Sequence, residues 1–283
     1  MNLLELLTNY TYAQALYGTV IIGTVAGAIG PLVYLRRTSL LADAVAHSSL
    51  PGLLLVFLAA SMLGFDGRIS YVLIAGSILT GALAVALIHW LPRQTKIKKD
   101  AAMAATLTTF FSVGMLLMQY ISRQPLPGKA GIQDYLLGNA STLTRGDVRS
   151  ALVTGGIALL LLIAIHHAHA VVVCDPAQAR VAGVRIRLVE AVAFLALVAV
   201  TVIGVKVVGV VLMVAVVVAP AAAARQFTHR LLPFIAVSAT LGALAAVIGC
   251  YISIAFGPLP TGPVIVLVQA AIVATSLIRK ALS

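Results

Sequence analysis

The chain has 283 residues, of which 61% are apolar and 10% charged, and a formal net charge of +11. Soluble domains carry about 25% charged residues, so this composition excludes an ordinary soluble protein and points to a membrane protein. The excess of cations does not indicate nucleic-acid binding, because Lys and Arg are dispersed among helix ends and not massed on one face.

Apolar runs near the roughly 20 residues needed to cross a hydrocarbon core recur throughout. They predict spans at 13–35, 38–63, 70–91, 101–121, 148–166, 187–205, 207–224, 232–255 and 261–278. The expectation is an all-α, polytopic bundle of eight or nine transmembrane helices in a single domain, 1–283. The segment 207–224 is the doubtful one, since it follows Lys206 with almost no turn and contains Pro220, features of a short or broken helix. The first twelve residues carry Glu5 and no cation, unlike a cleavable signal peptide, so the N-terminus is expected to be retained.

With the N-terminus outside and nine crossings, Arg36, Arg37, Arg93, Lys96, Lys98, Lys99, Arg180, Arg185, Arg187, Arg225, Arg230, Arg279 and Lys280 face the cytoplasm. This satisfies the positive-inside tendency and places the C-terminus in the cytoplasm. Cys174 and Cys250 then lie at different sides or depths, which argues against a disulfide or a zinc cluster.

The most informative side chains come in the second span, SLLADAVAHSSLPGL. Ser39, Asp43 and His47 are four residues apart and share one helical face. A carboxylate inside a membrane helix costs roughly 2.5–3.5 kcal/mol, so it is usually kept for what it binds. Carboxylate plus imidazole suits manganese, iron or zinc, and the lack of a thiolate argues against copper(I). One helix supplies two ligands, and a two-fold dimer would supply four. The competing reading is that Asp43 and His47 merely pair to fix packing. Pro51 and Gly52 are expected to end or bend this polar segment.

Small residues at Gly23, Gly27, Gly76 and Gly81 predict close helix approach. In the predicted outer loop, Gln133–Asn139 reads as a short interfacial helix with Tyr135 at the headgroup level. His166, His167 and His169, with His89 and His229, fall at helix ends, where interfacial placement explains them better than a metal cluster. Glu190 and Lys206 are explained by snorkelling or helix-dipole effects.

The predicted cytoplasmic loop HHAHAVVVCDPAQARVAGVRIR holds a candidate capped helix. Asp175 is the N-cap, Pro176 the first helical residue and Gly183 the stop. A rigid element there suits docking of a partner. Neither G-x-x-x-x-G-K-[ST] nor H-E-x-x-H is present, so the chain is not expected to be an enzyme.

Three ordered segments resemble the membrane permease subunits of bacterial ABC importers for manganese, zinc or iron. They are SLLADAVAHSSLPG, DPAQARVAGV and KVVGVVLMVAVVVAPAAAA, and the resemblance covers nearly the whole chain. The chain departs from the family pattern at Ala177, often acidic, and at Ala223, often threonine. The resemblance implies the bundle of a type II ABC importer in the bacterial cytoplasmic (inner) membrane. It implies a second permease subunit, with a homodimer expected, and a cytoplasmic ATPase dimer that binds the ATP. An extracellular or periplasmic metal-binding protein would deliver the ion.

No cofactor is expected to be bound permanently, and the transported divalent metal is expected to be manganese ahead of zinc and iron. On that resemblance Asp43 and His47 take the ion at or near the outer gate. Asp175, Pro176, Ala179 and Gly183 form the segment coupled to the ATPase. A secondary transporter using Asp43 as a proton relay is the alternative, and the capped loop, which it does not require, separates the two.

Overall fold

The computed structural model describes residues 9–36, 39–65, 70–126, 129, 134–228, 230–257 and 259–282. The helices are α1 (Tyr10–Leu35), α2 (Ser39–Met62), α3 (Ser70–Gln94), α4 (Lys99–Arg123), the single turn α5 (Asp134–Leu137), α6 (Arg145–Cys174), α7 (Pro176–Val181), α8 (Ile186–Val208), α9 (Met213–Ala224), α10 (Leu231–Ala255) and α11 (Thr261–Leu282). A 3₁₀ turn, Ala140–Thr142, precedes α6. Among the described residues, eight helices are long and apolar enough to cross a membrane.

The doubtful segment 207–224 is the short, broken helix that Pro220 and the missing turn after Lys206 suggested. Val207 and Val208 finish α8, the chain breaks at Gly209, whose φ is +94°, and α9 has only 12 residues. At 1.5 Å per residue α9 is about 18 Å long, well short of a hydrocarbon core of about 30 Å.

Specific contacts fix how the helices run. Gly23 meets Gly242 and Gly27 meets Ser238, so α1 and α10 are antiparallel; Ser238 Oγ donates to the Gly27 carbonyl. A Cβ at Gly27 would lie 2.5 Å from the Ser238 carbonyl oxygen, so the predicted close approach at Gly23 and Gly27 is real and needs glycine. Gly30 meets the Val217 carbonyl while Tyr34 and Leu35 pack with Ala221 and Ala224, so α9 runs parallel to α1. These contacts make α1 the buried axis of the bundle, with Ile22, Ala26, Ile29 and Leu32 sealed from the surface.

Around this axis α2 runs antiparallel to α3, through Gly52 against Gly76, and parallel to α4, through Leu50 against Gly114. Gly81 packs instead against Val198 of α8. The alternation gathers Arg36, Arg93, Lys96, Lys98, Lys99, Arg180, Arg185, Arg187, Arg225, Arg230, Arg279 and Lys280 at the end where α1 finishes, here termed the basic end.

Pro51 does not end α2, which continues to Met62. A proline inside a packed membrane helix is tolerated because its neighbours compensate the lost bond. Lacking an N–H, Pro51 deprives the carbonyl four residues back, that of His47, of its usual helical partner.

Candidate functional site

Asp43 and His47 lie in the second and third turns of α2. His47 Nε2 is 3.3 Å from Asp43 Oδ1, and the two side chains are 12% and 26% exposed respectively. Ser39 is the first residue of α2. The Asp43 and His47 side chains are both partly exposed; along α2 every residue from 48 to 54 is buried, and exposure returns only at Leu55, Ala59 and Met62. Around the pair α2 is packed: Val45 lies against Val198 and Val202 of α8, Leu41 and Ala44 against Ile88 of α3 and Met103 of α4, and Leu50 against Gly114 of α4.

Within one chain, therefore, the pair is packed on several sides and only partly exposed, Asp43 more than His47. His47 is level with Phe111, midway along α4, so the pair lies at mid-depth of the bundle. Among the described residues no third His, Cys, Asp or Glu joins the pair to make a metal-holding group.

The other histidines do not converge. His166 and His167 stack on each other near the basic end, with ring centroids 4.0 Å apart, whereas His169 is wholly buried among the helices. His89 is exposed and sits against the Val85 carbonyl of its own helix. The expectation for His229 lies outside the described residues. Cys250 is a buried, free thiol in α10.

The loop after α6 folds as its caps dictate. Asp175 accepts hydrogen bonds from the N–H groups of Ala177 and Gln178, at 2.8 and 3.0 Å, with Pro176 at the first helical position. At the other end the Gly183 N–H donates to the Arg180 carbonyl and the Val184 N–H to the Ala179 carbonyl, the paired bonds of a Schellman stop. Gly183 has φ +73°, which a β-branched residue adopts only under strain. Ala179 is buried under Val184 and Val189, which fastens α7 to α8. The outward face carries Ala177, Gln178 and Val181, the last 90% exposed. An exposed valine on a rigid two-turn helix is a surface with nothing from its own chain on it.

Two polar residues assigned to snorkelling have specific partners instead. Lys206 Nζ is 2.6 Å from Asp147 Oδ2, tying the end of α8 to the start of α6. The same carboxylate oxygen accepts from Thr144 N–H and Oγ–H, closing a capping box. Sequence reasoning missed Asp147, although Thr144-x-x-Asp147 before an apolar run is the signature of that motif. Glu190 pairs with Arg36 at 3.2 Å, joining α8 to α1 near the basic end.

Tyr135, in the single turn α5, is half-buried and packs against the core. Its carbonyl accepts from Val210 N–H, and its side chain lines a cavity of about 40 Å³ with Ser77, Asp147 and Lys206. That volume holds an ordered water. Neither Asp43 nor His47 lines it. A second, open groove of about 540 Å³ between α9 and α11 is lined only by Ala, Val and Leu, and offers nothing to hold an ion.

Breaking the Asp147–Lys206 pair is expected to be costly. Asp147→Ala should lower stability by about 3 kcal/mol, because it strands a largely enclosed ammonium. Adding Lys206→Met should recover part of that loss. Thermal unfolding in lipid nanodiscs checks this, and simple addition of the two single losses would show that the pair is not coupled.

Residues 8–280 match the family described as the ABC 3 transport family. The chain is 34% identical over 253 residues to the manganese transport system membrane protein MntC of Bacillus subtilis (strain 168), an overlap of 89% of this chain and 57% of that relative. It therefore spans little more than half the length of that relative. With the zinc transport system membrane protein TroC of Treponema pallidum (strain Nichols) it shares 33% identity over 275 residues, covering 97% of this chain and 91% of the relative. Among solved structures, PsaBC from Streptococcus pneumoniae in complex with Fab superposes with a TM-score of 0.85 at 28% identity, covering 96% of this chain and 93% of that one. A match that begins just before α1 and ends in α11, over a bundle of membrane-length helices, makes this multi-pass membrane chain a member of the ABC 3 transport family.

Proposed function

We propose that the chain is the permease of an ATP-driven importer that carries a divalent transition-metal ion across the bacterial cytoplasmic membrane. The observation that carries this reading is the Asp43–His47 pair, with Nε2 and Oδ1 3.3 Å apart and both side chains partly exposed on α2. One chain thus offers a carboxylate and an imidazole, half of a four-ligand set. A second copy meeting it along α2 about a two-fold axis supplies the other half. Manganese is favoured: carboxylate oxygen suits it, no thiolate is present, and the Bacillus subtilis relative is named for manganese. Zinc and iron accept the same donors, and the Treponema pallidum relative is named for zinc.

The basic end then faces the cytoplasm, with the N-terminus outside. An ion released by an extracellular binding protein enters from the side where α2 ends and is taken between the paired carboxylates and imidazoles. Asp175, Pro176, Ala179 and Gly183 shape α7 into a rigid peg for the ATPase subunit, with Val181 as its apolar contact. Movement of that peg reaches α6 and α8 directly, because α7 is anchored to both. ATP is bound and hydrolysed on the partner.

The test is uptake of radioactive manganese into proteoliposomes holding this chain, its ATPase and its binding protein. ATP-dependent uptake that survives collapse of the proton gradient is the expected result. Uptake that needs the gradient and ignores ATP would replace this reading with the proton-coupled one, in which Asp43 carries the proton.

A further inference from the structure

The imidazole of His47 is not free to turn. Its Nδ1 is buried and has no hydrogen-bond partner, whereas Nε2 lies against Asp43. Across the ring stands Phe111 of α4, with centroids 4.6 Å apart and planes at 82°, an edge-to-face contact. The register that delivers Phe111 is set one turn further along α4. There a Cβ on Gly114 would be only 2.9 Å from Leu50 Cδ2, so α4 approaches α2 closely because position 114 is glycine.

We propose that Phe111 is the positioning residue of the metal-accepting pair: it holds His47 with Nε2 beside Asp43 and withholds Nδ1 from both ion and water. The inference rests on reading Asp43 and His47 as the metal pair. It carries a chemical consequence. An ion taken by Nε2 leaves the neutral ring's proton on Nδ1, and metal-bound imidazoles normally give that proton to a carboxylate, a carbonyl or water. Here the nitrogen is buried without an acceptor. The imidazole is thereby oriented for the ion yet kept a weaker ligand than it would be with such a partner. An ion that has to leave again is served by that combination.

The test uses the assembled transporter in lipid nanodiscs, with histidine rings labelled with nitrogen-15, His47 assigned by a His47→Gln difference spectrum, and Zn²⁺ as the diamagnetic probe. In wild type, Zn²⁺ is expected to shift only Nε2 of His47. In Phe111→Ala the shift should be shared between Nδ1 and Nε2, and the KM for metal uptake should rise about 10-fold, the loss typical of removing a ligand's support. The maximal rate should stay within roughly twofold, as expected where binding is lost and not the later steps. Phe111→Tyr keeps the ring and should keep both wild-type readouts. Should Phe111→Ala fail to fold, Phe111→Leu, which preserves apolar bulk without the flat ring, carries the same two readouts. An unchanged Nε2 pattern with an unchanged KM in these variants would overturn the positioning role. Normal uptake by His47→Ala would instead sink the metal reading itself, so the two failures are distinguishable.

Discussion

Asp43→Ala and His47→Ala are each expected to reduce metal uptake by at least the roughly 100-fold that loss of even an outer-sphere partner can cost a metal site. Both variants should still insert, assemble with the ATPase and melt close to wild type. The reason is the packing of α2. Leu41, Ala44, Val45 and Leu50 carry the buried apolar packing of this helix, whereas Asp43 and His47 are only partly buried and belong to none of its buried hydrophobic clusters. Removing a carboxyl group from within a membrane helix removes a cost, so stability should hold or rise slightly while function is lost. If the pair merely fixed packing, the order would reverse, with melting temperature falling and uptake persisting in the protein that remains. Uptake assays at matched membrane expression, run beside thermal melts, separate the two.

The second large effect is expected at α7. Gly183→Val places a β-branched residue at φ +73°, at a strain of about 1–2 kcal/mol, and opposes the stop that turns the chain from α7 into α8. A Cβ there meets nothing within 4 Å, so the effect is one of backbone conformation and not of crowding. Coupling to the ATPase should fall sharply, read as lost copurification of the ATPase subunit or as ATP hydrolysis no longer stimulated by metal. Val181→Arg is the complementary change. Its side chain is exposed and the helix caps are untouched, so α7 persists while the apolar contact disappears. Normal copurification in both variants would show that α7 is only a loop helix.

Much of this architecture was legible in the sequence because membranes simplify the code. Long apolar runs gave eight of the helices, and an ionisable pair at four-residue spacing identified itself by its cost. The α7 helix was legible too, since Asp175, Pro176 and Gly183 each act through local backbone chemistry that needs no tertiary information. At 207–224, Pro220 and the missing turn after Lys206 already pointed to a short or broken helix, but not to the place of the break, which falls at Gly209.

Lys206 was read as a lone interfacial cation, since its partner Asp147 lies on another helix and nothing local links them. The Thr144–Asp147 capping box was readable and went unread. Phe111 was beyond reach for a different reason. In a chain this apolar, a phenylalanine facing lipid and one facing His47 look alike until the register of α4 on α2 is known.

The most direct test of the account is anomalous X-ray diffraction at the manganese edge from crystals of the assembled transporter soaked in Mn²⁺. The account predicts one strong peak on the two-fold axis between the α2 helices, in contact with Asp43 and His47 of both copies and lost in His47→Ala. A peak elsewhere in the membrane region, with none at this pair, would contradict it.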